Sequence, residues 1–340
     1  MTRRWKVRPE GANWGEFGDD DQLGRLNLMT PEKVRQGVAE VREGRTFSLS
    51  LPLDLPGGAV LNPSRHPPQL RPTTTPAGEM NFLRPFREAY NTTEVVCDDM
   101  VTLCLQYSTQ WDALSHVGAQ FDADGDGEAE TVFYNGYRPE GLFLTPADNP
   151  QGASSAGALG IENAAVHGVQ GRGVMADVRR AFGDGRHSVG YDDLMRALQA
   201  QGAEVERGDV LCVHTGFAEA IVEMAGAPDK ARLDACGAVL DGADARLLRW
   251  IDDSGIAAIA ADNYAVEARP YEHAGDGRHA LLPLHELCLF KLGLPLGELW
   301  WLTPLADWLA ANGRSRFLLT APPLRLPGAV GSPVNPIATV

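Results

Sequence analysis

The chain has 340 residues, 44% of them apolar, and a formal charge of −15 at pH 7. Its length and apolar content are ample for a full hydrophobic core. The acidic balance, with no run of Lys or Arg, argues against nucleic acid or an anionic membrane surface as partner, because phosphate binding needs a concentrated basic face; a small molecule is expected instead.

The opening Met1-Thr-Arg-Arg-Trp-Lys has positive residues with no apolar stretch behind them, and no window approaches membrane-spanning length. A cytoplasmic protein without a secretory or twin-arginine signal is therefore expected. The five cysteines (Cys97, Cys104, Cys212, Cys236, Cys288) are odd in number, widely spaced and mostly set among apolar residues, as reduced core thiols would be.

The first helix is predicted to open at Thr30-Pro31-Glu32, with Thr30 as N-cap and Pro31 in the first turn. Thr46 to Leu51 reads as a short strand, and residues 52 to 90, rich in Pro, Gly and Arg with little periodicity, as a long surface excursion carrying Asn81 and Phe82. Residues 94 to 112 alternate and predict one or two strands. Gly171 to Val178, Asp209 to His214, Ile256 to Ala261 and Arg316 to Thr320 are apolar runs typical of buried strands. Helical patterns fall between them at about 192 to 202, 216 to 226, 243 to 254, 282 to 293 and 303 to 312. Strands alternating with helices imply an α/β core. No repeat or low-complexity linker divides the chain, so one domain over 1–340 is expected, with an N-terminal arm over about 1–45.

In a regular strand Gln106, Ser108, Gln110 and Asp112 project to one side, an entirely polar face between apolar neighbours. Such a face is either solvated or satisfied by something buried against it, and a hard cation is the simplest candidate. Gln110 and Asp112 lie roughly 7 Å apart in an extended chain, close enough to lean onto one ion, whereas Gln106 is too far without a bend. His116, just past the strand, is placed to exchange a proton with water or a leaving amine. Asp122-Ala-Asp-Gly-Asp-Gly-Glu128 imitates half a calcium loop, but Phe133 stands where a bidentate Glu belongs, and an Asp/Gly-rich turn is the alternative.

Other residues carry two readings each. His214 ends a buried strand where α/β proteins place their sites, so it is a substrate contact, a replacement ligand or strand-end packing. Asn263 and Tyr264, expected as substrate contacts, follow another strand, and with Asp262 and Glu267 they begin a loop through Pro270 and His273 to His279 that is suited to cover a pocket. Trp111 faces away from Asp112 in a regular strand, which favours packing over substrate contact. One of Trp300 and Trp301 is expected to pack inward and the other to wall the site, with Trp300 taken as the substrate contact. No nucleotide-binding glycine loop and no nucleophile elbow is present.

The stretch Gln106-Tyr-Ser-Thr-Gln110-Trp-Asp112-Ala-Leu-Ser-His116 resembles the marker His-x-Gly-Thr/Ala-His-x-Asp-x-Pro-x-His of the cyclase-like metal-dependent hydrolases, which include bacterial kynurenine formamidases and isatin hydrolases. Asp112 and His116 match; both earlier histidines are Gln, and Leu114 replaces the proline. His285 in His-Glu-Leu-Cys-Leu-Phe-Lys-Leu-Gly and Glu298 in Leu-Gly-Glu-Leu-Trp look like the family's distal metal ligands. Val210-Leu-Cys-Val-His-Thr-Gly216, Ala321-Pro-Pro-Leu-Arg-Leu-Pro-Gly and Gly331-Ser-Pro are similar to its central and closing strands. Asp20-Asp-Gln-Leu-Gly-Arg-Leu-Asn-Leu looks like a longer branch with a Gln-Trp-Asp variant of the motif.

The resemblance implies the swivelling β/β/α fold, a mixed central sheet flanked by helices, and a homodimer or homotetramer. It implies one divalent cation on Asp112, His285 and Glu298 with Gln110 assisting, and His116 as acid/base. Neutral amide oxygens in place of imidazoles weaken a zinc site, so Mn or Zn is expected, with Mg and Ca as further fits. The implied reaction is hydrolysis of a C–N bond in a small aromatic or cyclic amide, arylformamidase-like as in tryptophan catabolism. Its rivals are a cyclase, dehydratase or lactone hydrolase acting on a polyketide-like substrate, and an inactive ligand-binding protein on the same fold.

Overall fold

The apolar runs of the second half become adjacent strands because each is apolar on both faces and must be covered on both. In the computed structural model of the chain, residues 3–86, 91–149, 152–268 and 279–340 are described. One large sheet is built from Thr46–Ser48 (β1), Gln110–Asp112 (β2), Gln170–Asp177 (β3), Val210–His214 (β4), Ala258–Ala261 (β5), Leu296–Glu298 (β6), Arg316–Thr320 (β7), Gly331–Pro333 (β8) and Ile337–Thr339 (β9). Their spatial order is β1-β9-β7-β3-β4-β5-β6-β2-β8. The central β3 to β6 run parallel and every other pairing is antiparallel, which is the mixed sheet expected.

Alternate residues of these strands enter different cores. Leu211, Val213, Ile259, Ala261 and Leu296 join one buried cluster, and Val210, Cys212, Ala258 and Ala260 join another. Period-two alternation thus divides the protein into a layer on each sheet face. Helices Pro31–Ala39, Tyr191–Ala200, Phe217–Glu223, Ala245–Ser254 and Thr303–Ala311 supply those layers. As expected, Thr30 caps the first of them, its hydroxyl accepting the Lys33 N–H. Gly37 in that helix allows a close approach to β3, since a Cβ there would lie 2.7 Å from the Gly171 carbonyl oxygen.

Two sequence expectations are corrected. Residues 94–112, expected as one or two strands, form three short ones: Val95–Val96 and Asp99–Thr102 are separated from β2 by a turn in which Tyr107 N–H donates to the Cys104 carbonyl. Gln106 and Ser108 therefore share no strand face with Gln110 and Asp112. The excursion over 52–90 is also more ordered than its weak periodicity suggests, because Gln69–Pro72 pairs with Asp99–Thr102 and Arg84–Pro85 with Val95–Val96.

The N-terminal residues dock on a π-helical turn, Glu286–Leu292, that follows His285 directly. Trp14 Nε1 donates to the Phe290 carbonyl (2.9 Å) and Asn13 Nδ2 to that of Leu292 (2.9 Å), satisfying carbonyls that a π turn leaves open. Among the described residues no helix is long and apolar enough to cross a membrane.

Candidate metal centre

Register sets the site. Glu298 pairs with Gln110 and Gly297 with Trp111 where β6 meets β2, so Gln110, Asp112 and Glu298 project to one face and Trp111 to the other. On that other face Trp111 meets Trp300 edge to face, with ring centroids 4.9 Å apart. Gly297 leaves room for this pair, since a Cβ there would meet the Trp300 indole nitrogen at 2.8 Å. Trp111 and Trp300 are 2% and 0% exposed, so neither offers surface to a substrate, contrary to the expectation for Trp300 and to the lesser reading of Trp111.

His285 arrives from a separate segment and completes the group. Its Nε2 lies 3.4 Å from Glu298 Oε1 and 4.0 Å from Asp112 Oδ2. Asp112, His285 and Glu298 are all buried, and one ligand atom from each falls within 4.8 Å of the others. His116 stands at the rim, 23% exposed, with Nε2 3.8 Å from Asp112 Oδ1.

The electrostatics follow from confining two acids and an imidazole. Burial pushes the Asp112 carboxyl above the usual range, opposed by His116 and reinforced by the charge of Glu298. Burial also works against Glu298, yet hydrogen bonding and attraction to His285 hold it below its ordinary value. For His285, burial is outweighed by Glu267, Glu298 and Asp112, and its pKa is pushed up to about 10.

The residues fit a divalent cation. Two carboxylates and an imidazole nitrogen form an oxygen-rich donor set, and Asp112 Oδ2 is buried with no hydrogen-bond partner, a cost that a cation would remove. Gln110 is in place but turned: its Nε2 lies 3.5 Å from Asp112 Oδ1 and 3.3 Å from Glu298 Oε2, so it donates to both acids. Its Oε1 is buried without a partner, so as placed the amide turns its nitrogen rather than its oxygen toward the acids.

A residue that sequence reading left as an undistinguished loop position proves central. Glu267 Oε1 accepts the backbone N–H and the ring Nδ1–H of His285, both at 2.8 Å, and its Oε2 accepts the Leu284 N–H at 2.9 Å. This fixes the tautomer that turns Nε2 toward the acids. Glu267 is aimed by a turn in which Ala265 and Val266 have φ of 72° and 58°, a conformation costly for a β-branched residue. Asn263, expected as a substrate contact, is instead 1% exposed, and its Nδ2 braces that turn through the Ala238 (2.8 Å) and Val266 (3.3 Å) carbonyls.

Of the readings open to His214, strand-end packing holds, and substrate contact and replacement ligand do not. Nδ1 bonds Asp177 at 2.8 Å and Nε2 bonds Thr303 at 3.0 Å, so both nitrogens are engaged and none is left for a metal or substrate. Tyr264 is half-buried, with its hydroxyl accepting from Asn62 Nδ2 at 3.4 Å. The loop expected through Pro270 and His273 lies outside the described residues, which resume at His279. In the calcium-loop imitation, Asp122 accepts the backbone N–H groups of Gly125, Asp126 and Gly127, the arrangement of an Asp/Gly-rich turn.

The geometry defines an α/β protein whose mixed sheet carries a buried carboxylate–imidazole cluster. Residues 47–268 match the model of the Cyclase family, and the chain belongs to that family. The match includes Asp112 and Glu267 but ends before His285 and Glu298, which the fold supplies. A crystal structure of a novel cyclase is 33% identical, covering 98% of this chain and 100% of its own, with a TM-score of 0.74. Isatin hydrolase A from Labrenzia aggregata is 14% identical over 90% of this chain and 97% of its own (TM-score 0.53). The corresponding enzyme from Ralstonia solanacearum is 15% identical over 91% and 97% (TM-score 0.55). At these identities the two isatin hydrolases share the fold. No curated protein matches the sequence.

Proposed function

We propose that this chain is a metal-dependent hydrolase of a C–N bond in a small aromatic or cyclic amide. The observation that carries the reading is the convergence of Asp112, His285 and Glu298, all buried, with ligand atoms within 4.8 Å of one another. The kinship in fold with isatin hydrolases, whose name describes action on a cyclic amide, agrees with this substrate class. An arylformamidase-like activity on the Gln-Trp-Asp branch of the family is our finer expectation.

Asp112, His285 and Glu298 would hold the cation, and Glu267 would keep the proton on Nδ1 and aim Nε2 at it. A bound divalent cation supplies acidity to water and polarisation to a carbonyl. Gln110 donates to both carboxylates and restrains them without adding charge. His116, partly exposed beside Asp112, accepts a proton from the attacking water and returns it to the departing amine. The single imidazole among oxygen donors favours Mn²⁺ over a tight zinc site.

The test is elemental analysis of protein purified without chelator, followed by assays with N-formylkynurenine and a lactone panel after adding Mn²⁺ or Zn²⁺. One ion per chain and amide cleavage are expected; no ion and no activity on metal addition would overturn the reading. Lactone opening without amide cleavage would move the chemistry to C–O bonds. Asp112→Ala should abolish metal retention in a folded protein, and unchanged metal content would mean that the site lies elsewhere.

A further inference from the structure

The excursion that precedes the motif is tied along the turn leading into β2. Leu51 N–H donates to Thr109 Oγ1 (2.9 Å), Gly57 N–H to the Tyr107 hydroxyl (3.1 Å), and that hydroxyl to the Gly58 carbonyl (2.8 Å). Farther along, Arg65 Nη1 donates to the Gln106 carbonyl at 2.9 Å, and the guanidinium lies 5.8 Å from the centre of the Tyr264 ring. Arg65 is thus pinned between the segment that runs into Gln110 and Asp112 and the turn that runs into Glu267.

Three properties set this arginine apart. It is half-buried in a chain of net charge −15, yet it makes no ion pair among the described residues. Its only hydrogen bond among those residues uses Nη1, so most of the five guanidinium donors stay available. It also holds a residue that lies beside the metal cluster: a Cβ on Gly331, the register partner of Asp112, would stand 2.6 Å from Gln106 Nε2.

The surroundings suit a ring beside the cation. Leu61, Arg65, Gln106 and Tyr264 line one small cleft, and Leu61 and Tyr264 also border a cavity of about 560 Å³ walled by Phe217 and Leu233. A divalent cation would neutralise the two carboxylates that hold it, and Arg65, without an ion pair among the described residues, brings a positive charge to the segment that leads into Gln110 and Asp112. That charge complements a monoanion, and the planar fork of a guanidinium matches a carboxylate better than a point charge does.

We propose that Arg65 is a specificity-determining residue that binds a carboxylate carried by the substrate, so that the site prefers aromatic amides bearing an acid group. This rests on the hydrolase reading for the word substrate, whereas the anion site stands on its own geometry.

The experiment compares wild type, Arg65→Met and Arg65→Lys, each metal-free and Mn²⁺-loaded. Binding of 2-aminobenzoate and of aniline is measured by calorimetry, and cleavage of their N-formyl derivatives is followed in parallel. Wild type should bind 2-aminobenzoate in preference to aniline. Arg65→Met should reduce that preference roughly 10- to 100-fold, the worth of one charge-assisted pair, with partial recovery in Arg65→Lys. Equal preference in wild type and Arg65→Met, or no carboxylate binding by wild type, overturns the proposal. Should neither amide be cleaved while carboxylate binding still depends on Arg65, the hydrolase reading fails and the anion site stands. Should both amides be cleaved with a preference that ignores Arg65, the reverse holds.

Discussion

Glu267 grips His285 at two points, the backbone N–H and the ring Nδ1, each 2.8 Å from the same carboxylate oxygen. One acid therefore sets both the position of the helical turn and the tautomer of its histidine.

Glu267→Ala should lower metal affinity by roughly 10- to 100-fold, the usual effect of losing an orienting partner behind a ligating histidine. Glu267→Gln should recover part of it, because an amide oxygen can still accept from Nδ1. Competition with a chelator measures both variants; an affinity unchanged in Glu267→Ala would refute the positioning role.

His285 makes metal uptake a proton-releasing event. Its pKa rises from 6.5 to about 10 in the folded, metal-free chain. The protonated ring adds stability in full below its unfolded value of 6.5, and that stability is lost as pH climbs through about 10. Metal-free protein should melt at falling temperatures across this window. Because a cation needs the neutral imidazole, its affinity should rise by up to roughly tenfold per pH unit over the same range. Chelator competition between pH 6.5 and 8.5 checks the slope, and a flat profile would show that His285 does not lose a proton to the ion.

His214 is a structural joint between the ends of β3 and β4 and the helix beginning at Thr303. His214→Leu removes a partner from buried Asp177 and from the Thr303 hydroxyl, and should cost about 2–3 kcal/mol of stability. Metal stoichiometry should stay at the wild-type value. Thermal or urea unfolding measures the first effect and elemental analysis the second; loss of metal with normal stability would restore His214 to the site.

Sequence alone determined the elements whose physics is local. Val174 to Ala176, Val210 to Val213 and Phe317 to Leu319 are unbroken apolar runs at the centres of the expected strands, and short runs of that kind suit strands that are buried in a sheet. Thr30-Pro31 announced a helix start by capping chemistry, and the opposed faces of Asp112 and Trp111 followed from a period of two. The resemblance in the Gln106 to His116 stretch pointed beyond this, to His285 and Glu298.

Tertiary structure decided the rest, because the partners are far apart in the chain. Gln106 and Ser108 left the polar face when a turn at Cys104 to Tyr107 broke the strand, and alternation cannot report a turn made by bonds to a distant loop. Trp300 went inward because Gly297 opens room for it against Trp111, a fit that exists only once β6 lies beside β2. Glu267 became the keeper of His285, 18 residues away, through a left-handed turn at Ala265 and Val266. Neither residue type favours that conformation, so no propensity could have announced it.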